Sequence, residues 1–118
     1  MNSLIEKIFA DFKVDNEKIP VEFLHYTGEN ETYIVYQSID NSGTLAGDDE
    51  ILGYIDYYDF DIYTKGNYFK IVRELKNILK NNGFIWQPDM SSGDMYEKDT
   101  GYYHKTLCFA IEKLESEE

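Results

Sequence analysis

The chain has 118 residues, of which 42% are hydrophobic and 16% aromatic, and its 23 acidic residues outweigh 11 basic ones for a net charge of −12. That length suits one domain with one modest core, and the apolar content argues against disorder over most of it. An acidic chain lacks the basic surface that nucleic-acid binding needs, the single cysteine Cys108 excludes an intrachain disulfide, and no apolar run approaches the roughly 18 residues of a membrane span.

Met1-Asn2-Ser3 carries no basic n-region and leads into no long apolar run, so no secretory signal is read there. The expectation is a soluble chain made in the cytoplasm. Asn2 to Phe12 reads as a helix. Ser3 and Glu6 form S-x-x-E, a capping box, and Leu4, Ile5, Ile8, Phe9 and Phe12 recur at helical spacing. Lys13 to Pro20 is polar, ends at proline and reads as a connector. Val21 to Tyr26 is a short strand candidate, Thr27 to Glu31 a polar turn, and Thr32 to Gln37 a strand dense in β-branched and aromatic residues. Two strands around a short turn suggest a hairpin. Ser38 to Asp49 holds Asn41, Gly43, Gly47 and paired Asp residues, and reads as a long loop.

Glu50 to Tyr63 is the longest strand candidate. Tyr58, Phe60 and Ile62 fall on one face and Tyr57, Asp59 and Asp61 on the other. Asn67 to Asn82 is a helix with Ile71, Val72, Leu75, Ile78 and Leu79 at core spacing, Asn67 as N-cap and Gly83 just past its end. Phe84 to Gln87 and Asp94 to Lys98 are short extended candidates. Tyr102 to Glu112 is a last strand whose apolar face holds Tyr103, Leu107, Phe109 and Ile111. The predicted architecture is α+β: an antiparallel sheet with two helices packed on one face, forming a single domain over 1–113 with an acidic frayed tail at 114–118.

Charge is unevenly distributed. From Pro20 through Thr64 there is no Lys or Arg, yet the stretch holds ten acids, among them Asp48, Asp49 and Glu50. Lys65, Lys70, Arg73, Lys76 and Lys80 follow at once, with only Glu74 against them. The cations at 70, 73, 76 and 80 recur every three or four residues, which predicts a basic helix face beside the apolar stripe. Such a face is either simply solvated or a docking surface for an acidic partner. Asp48, Asp49, Glu50, Lys70, Arg73, Lys76 and Lys80 are therefore the candidate interface residues.

The search for chemistry is brief. One Cys and two His offer no metal-binding spacing, no glycine cluster precedes a Lys-Ser or Lys-Thr, and neither a cofactor site nor a catalytic residue is predicted. Asp48-Asp49-Glu50 lacks the alternating ligands of a calcium loop. If the strands carrying them are neighbours, Asp59, Asp61 and His104 make a carboxylate–His group conceivable. The simpler reading is a solvated sheet face. Cys108 shares the parity of His104 and has no evident cationic activator, so a structural thiol is expected.

Several segments resemble small tail-completion proteins of tailed phages, also called tail terminators or head–tail joining proteins. They are Pro20-Val21-Glu22-Phe23-Leu24, Thr32-Tyr33-Ile34-Val35-Tyr36, Asp61-Ile62-Tyr63-Thr64-Lys65-Gly66-Asn67-Tyr68, Gly83-Phe84 and the run from Tyr96 to Lys105. The resemblance covers about residues 19 to 112. It implies an α+β fold, assembly with itself into a ring that is commonly hexameric, and a place in the virion at the top of the tail tube or the head–tail junction. Its implied partners are tail-tube and head-connector proteins. It implies no enzymatic activity and no cofactor, and it likens the 38–49 loop to one used in ring or neck contacts; the acidic charge separately argues against specific nucleic-acid binding. The alternative is a small acidic inhibitor or immunity protein that blocks a basic partner. The basic helix fits that alternative less well.

Overall fold

The alternation of Glu50–Thr64 requires a strand with one packed face, and that strand is the centre of the molecule. A computed structural model describes residues 2–47 and 50–114, with side chains described over 3–39 and 55–112. In chain order the elements are α1 (Asn2–Ile8), β1 (Lys13–Val14), β2 (Glu17–Lys18), β3 (Val21–Phe23), β4 (Tyr33–Gly47), β5 (Glu50–Thr64), α2 (Phe69–Asn81), β6 (Ile85–Trp86), a 3-10 turn at Pro88–Met90, β7 (Met95–Glu97) and β8 (Tyr102–Leu114). β1 and β2 form a separate two-stranded ribbon. The main sheet runs β3-β4-β5-β8-β6, with β7 also on β8. The chain is α+β, as expected.

The sheet is mixed where an all-antiparallel one was predicted. β3 pairs parallel to β4, with Val21 opposite Ile34 and Phe23 opposite Tyr36. The expected hairpin is therefore absent. A parallel neighbour normally needs a long crossover. Here β3 is only three residues long, so residues 24–32 have roughly 10 Å to retrace, well within their reach. The remaining pairs are antiparallel.

The 38–49 stretch is strand as far as Gly47, not loop. Its turn-forming residues coincide with a break in register between Ile39 and Gly43, where a bulge absorbs the extra residues of β4. β4 and β5 are 15 residues each, about 50 Å at strand rise, and this pair sets the long axis of a molecule measuring 52 × 27 × 23 Å. Asp48, Asp49 and the tail from Glu115 to Glu118 lie outside the described residues.

Both helices cover the same sheet face. Tyr58, Phe60 and Ile62 of β5 point to them, joined by Ile34 and Tyr36 from β4 and Leu107, Phe109 and Ile111 from β8. α2 contributes Ile71, Leu75 and Leu79. α1 ends at Ile8, earlier than predicted, and Ser3 lies inside its first turn rather than ahead of it. Phe9 and Phe12 still enter the core from the turn that follows, edge-to-face at 5.2 Å. The expected connector after them holds the β1–β2 hairpin. Asp15 and Asn16 take φ of 54° and 66°, the pair of positive values that a tight two-residue hairpin turn demands.

α2 starts two residues later than predicted. Tyr68, not Asn67, stands at the N-cap and makes no side-chain cap bond; Asn67 lies one residue earlier, its Oδ1 accepting the Phe69 N–H at 2.9 Å. At the other end Gly83 has φ of 89°, the Gly83 N–H bonds the Lys80 carbonyl, and the Phe84 N–H bonds that of Leu79. These two bonds are the Schellman arrangement, and the buried Phe84 ring completes it.

The outer edge of β8 is closed piecemeal. β7 pairs at Tyr102–His104 and β6 at Phe109–Ala110. Between them the connecting segment supplies hydroxyls: Ser92 Oγ accepts the Thr106 N–H and Ser91 Oγ the Cys108 N–H, each at 2.9 Å. Ser91 also receives the Trp86 indole N–H and donates to the Gln87 carbonyl.

Leu75 is fully buried, so Leu75→Ala should cost about 2–5 kcal/mol in denaturant unfolding. A change within ~0.5 kcal/mol, the size of a surface substitution, would show that the α2 stripe is not core. Ser91→Ala should cost about 1–3 kcal/mol by stranding the buried Cys108 N–H. Hydrogen exchange at that amide should accelerate in the variant.

Candidate functional site

Helical spacing puts Lys70, Arg73, Lys76 and Lys80 on the side of α2 turned away from Ile71, Leu75 and Leu79, and the four cations are not equivalent there. Lys70 pairs with Asp15 in the β1–β2 turn at 3.0 Å. Lys76 is half-buried, its ammonium 3.4 Å from the centroid of the Trp86 ring. Burial there, with Lys105 nearby, lowers its pKa. Arg73 is exposed and only loosely approached by Glu74, at 3.9 Å, and Lys80 is exposed in the last turn. Arg73 and Lys80 are thus the cations open to a partner, while Lys70 and Lys76 tie α2 to its own neighbours.

The acids do not form one surface. Glu22, Glu29 and Glu31 lie on β3 and the loop after it, all exposed. Asp59 and Asp61 lie on the sheet face away from the helices. Glu50 opens β5 opposite Gly47.

The conceivable carboxylate–His group does come together. β5 and β8 are direct neighbours, with Asp59 opposite Cys108, Asp61 opposite Thr106 and Tyr63 opposite His104. Thr106 Oγ1 donates to Asp61 Oδ1, and His104 Nε2 lies 3.6 Å from the same oxygen, its ring stacked on Tyr63. The Cys108 side chain is fully buried, and burial together with the Asp59 charge pushes the thiol up to about 11. It stays protonated at neutral pH, which is the opposite of nucleophile activation. Asp59 is raised by burial and then by the Asp61 charge, with the Cys108 thiol opposing. One of its buried carboxylate oxygens has no hydrogen-bond partner. The main clefts among the described residues open elsewhere. Among the described residues no group of three His, Cys, Asp or Glu side chains is placed to hold a metal, and no helix is long and apolar enough to cross a membrane.

Sequence reading missed the exposed apolar side chains. Ile85, Trp86 and Met90 stand on or just past β6, Trp86 under Lys76 and Ile85 on the other face of the strand. Phe69, Met95, Tyr96 and Tyr103 flank an apolar cleft of about 560 Å³ between the start of α2 and β7. Tyr103, expected on the packed face, is 40% exposed because β8 runs past the end of α2 there. Phe23 and Leu24 project from β3. The signal available for β6 was that Phe84-Ile85-Trp86 is apolar at consecutive positions, so one strand face cannot hold it all.

The strained state of Asp59 has a measurable consequence. A raised carboxyl binds its proton more tightly in the folded chain, so its contribution to stability improves as pH falls from its raised value toward 3.8 and is lost as pH rises back through that window. Asp59→Asn should therefore stabilise the chain at pH 7, and the gain should shrink toward pH 4. An equal effect at both pH values would locate the change in packing rather than in charge.

No protein-family model matches the chain and no curated protein is similar to it, so the chemistry of these surfaces is the ground on which its function rests.

Proposed function

We propose that the chain is a non-enzymatic structural protein that assembles with itself into a ring and completes the tail tube, or joins tail to head, in a tailed phage. The observation that carries this reading is the exposed basic side of α2 on a chain whose net charge is −12. A closed ring repeats a head-to-tail interface in which one patch meets a different patch. Exposed cations on α2, and exposed acids on and after β3, give one chain both signs of charge for such a contact. The segments resembling tail-completion proteins support the virion setting. An acidic lumen would also repel the phosphates of passing DNA.

Exposed ion pairs contribute little affinity but steer and orient association. Arg73→Glu with Lys80→Glu changes two exposed cations and leaves the Lys76–Trp86 contact in place. This double reversal should reduce incorporation into particles several-fold, and raised salt should weaken incorporation of the unaltered chain. Electron microscopy of particles carrying the chain should show a ring at the tail or head–tail junction. Full incorporation of the double reversal at low salt would reduce the basic side to a solvated face.

A further inference from the structure

β3 and β6 are the two terminal strands of the main sheet, and each displays apolar side chains that the fold itself leaves exposed. On the β3 side the display is strained. Leu24 has φ of 68°, a value that few bulky residues adopt. Its N–H bonds the Tyr36 carbonyl at 2.9 Å, and the next N–H, of His25, folds back to the Phe23 carbonyl at 2.8 Å. That three-residue γ-turn with positive φ is rare and costly. Its product is a Leu side chain 57% exposed to water. Among the described residues no contact covers this side chain.

Beside Leu24 lies a groove of about 480 Å³ bordered by Glu6, Glu22 and Tyr36. The Tyr36 side chain is 1% exposed, and its hydroxyl is buried without a hydrogen-bond partner. The Glu6 and Glu22 carboxylates are exposed at this groove, and a cationic side chain would pair with them.

The opposite edge offers the complement. Ile85 is 57% exposed and Trp86 40%, one on each face of the edge strand, and Met90 in the turn after it is 47% exposed. Lys76 covers the indole, and Arg73 and Lys80 flank it one turn away on either side. Aromatic, Met and Arg side chains with a cationic rim are the composition of an interface centre. The two edges lie four strand spacings apart, roughly 19 Å across the sheet, so one copy can offer each edge to a different neighbour.

We infer that the β3 edge of one copy docks on the β6–α2 edge of the next, with Leu24 seated against Ile85 and with Arg73 or Lys80 reaching the Glu6 and Glu22 carboxylates at the groove. The occupant of each edge is a second copy of this chain. This deepens the ring reading and rests on it. The long axes of neighbouring copies then lie side by side, and every subunit uses both edges.

Cross-linking of the full chain tests the pairing. Leu24→Cys and Ile85→Cys are prepared singly and together, with the buried Cys108 retained and the unaltered chain as control. A short bis-maleimide at low salt and high protein concentration should give a ladder with the doubly altered chain. A mixture of the two single variants should give dimers, and neither single variant should cross-link to itself. Self-linking of Leu24→Cys would mean a two-fold contact and overturn the proposal. Oligomers in sedimentation without the mixed cross-link would overturn the pairing and leave the ring reading standing, whereas a chain that stays monomeric throughout, in solution and in particles, removes both. Leu24→Gly separates docking from folding. Relief of the positive φ should raise the thermal midpoint, while loss of the side chain should cut oligomer formation at least several-fold. Unchanged assembly in Leu24→Gly overturns the proposal.

Discussion

Everything in this molecule hangs on the pairing of β5 to neighbours on both sides. From Gly53 to Thr64 each residue of β5 has a partner on β8, and for most of that length another on β4. The ladder holds Tyr58, Phe60 and Ile62 in a row against the helices. It also fixes the opposite row, in which Asp59, Asp61 and Tyr63 meet Cys108, Thr106 and His104. Neither helix has an independent reason to stand where it does. α1 has seven residues, too few to persist alone in water, and α2 is held by the apolar contacts of one stripe. At the end of the strand Thr64, buried and polar, is satisfied by the Thr32 hydroxyl and the Gly66 N–H. The ladder thus stops without leaving an unpaired group in the core.

The parts legible in the sequence are those in which local chemistry and tertiary packing agree. The alternation at Tyr57–Ile62, the stripe from Ile71 to Leu79 and the terminating Gly83 are such places, and each stands where its pattern puts it. Legibility fails where a local signal is outvoted. Asn41, Gly43 and Gly47 are turn residues by propensity, but a long partner strand holds them extended and a bulge takes up the misfit. Phe9 and Phe12 keep their helical spacing after the helix has ended, because burial needs only that they face the core. The parallel pairing of β3 has no local signature, since strand direction depends on a loop whose path composition does not encode.

The interaction surfaces show the same division. The basic side of α2 was readable from spacing alone. Its inequality was not, because Lys70 and Lys76 are committed to Asp15 and Trp86, residues distant in the chain. The acidic run from Pro20 to Thr64 is continuous in sequence and divided in space, since consecutive strand residues face opposite ways and β3 lies at the edge. Exposed apolar side chains are invisible to composition, which registers a Trp or a Leu as core. An account of association therefore starts from burial and strain rather than from charge counts.

The serine hydroxyls along β8 carry a consequence for how the molecule avoids unwanted partners. A bare strand edge is a template that any passing extended chain can join, and stacked copies would then grow without limit. Between β6 and β7 that invitation is withdrawn, because Ser91 and Ser92 already occupy the Thr106 and Cys108 amides. Backbone-to-backbone zippering is closed there, and contact across that stretch has to be made by side chains. Side-chain contacts are specific to sequence, geometrically choosy and reversible with salt. At high local concentration, two hydroxyl groups thus protect the chain against fibre growth.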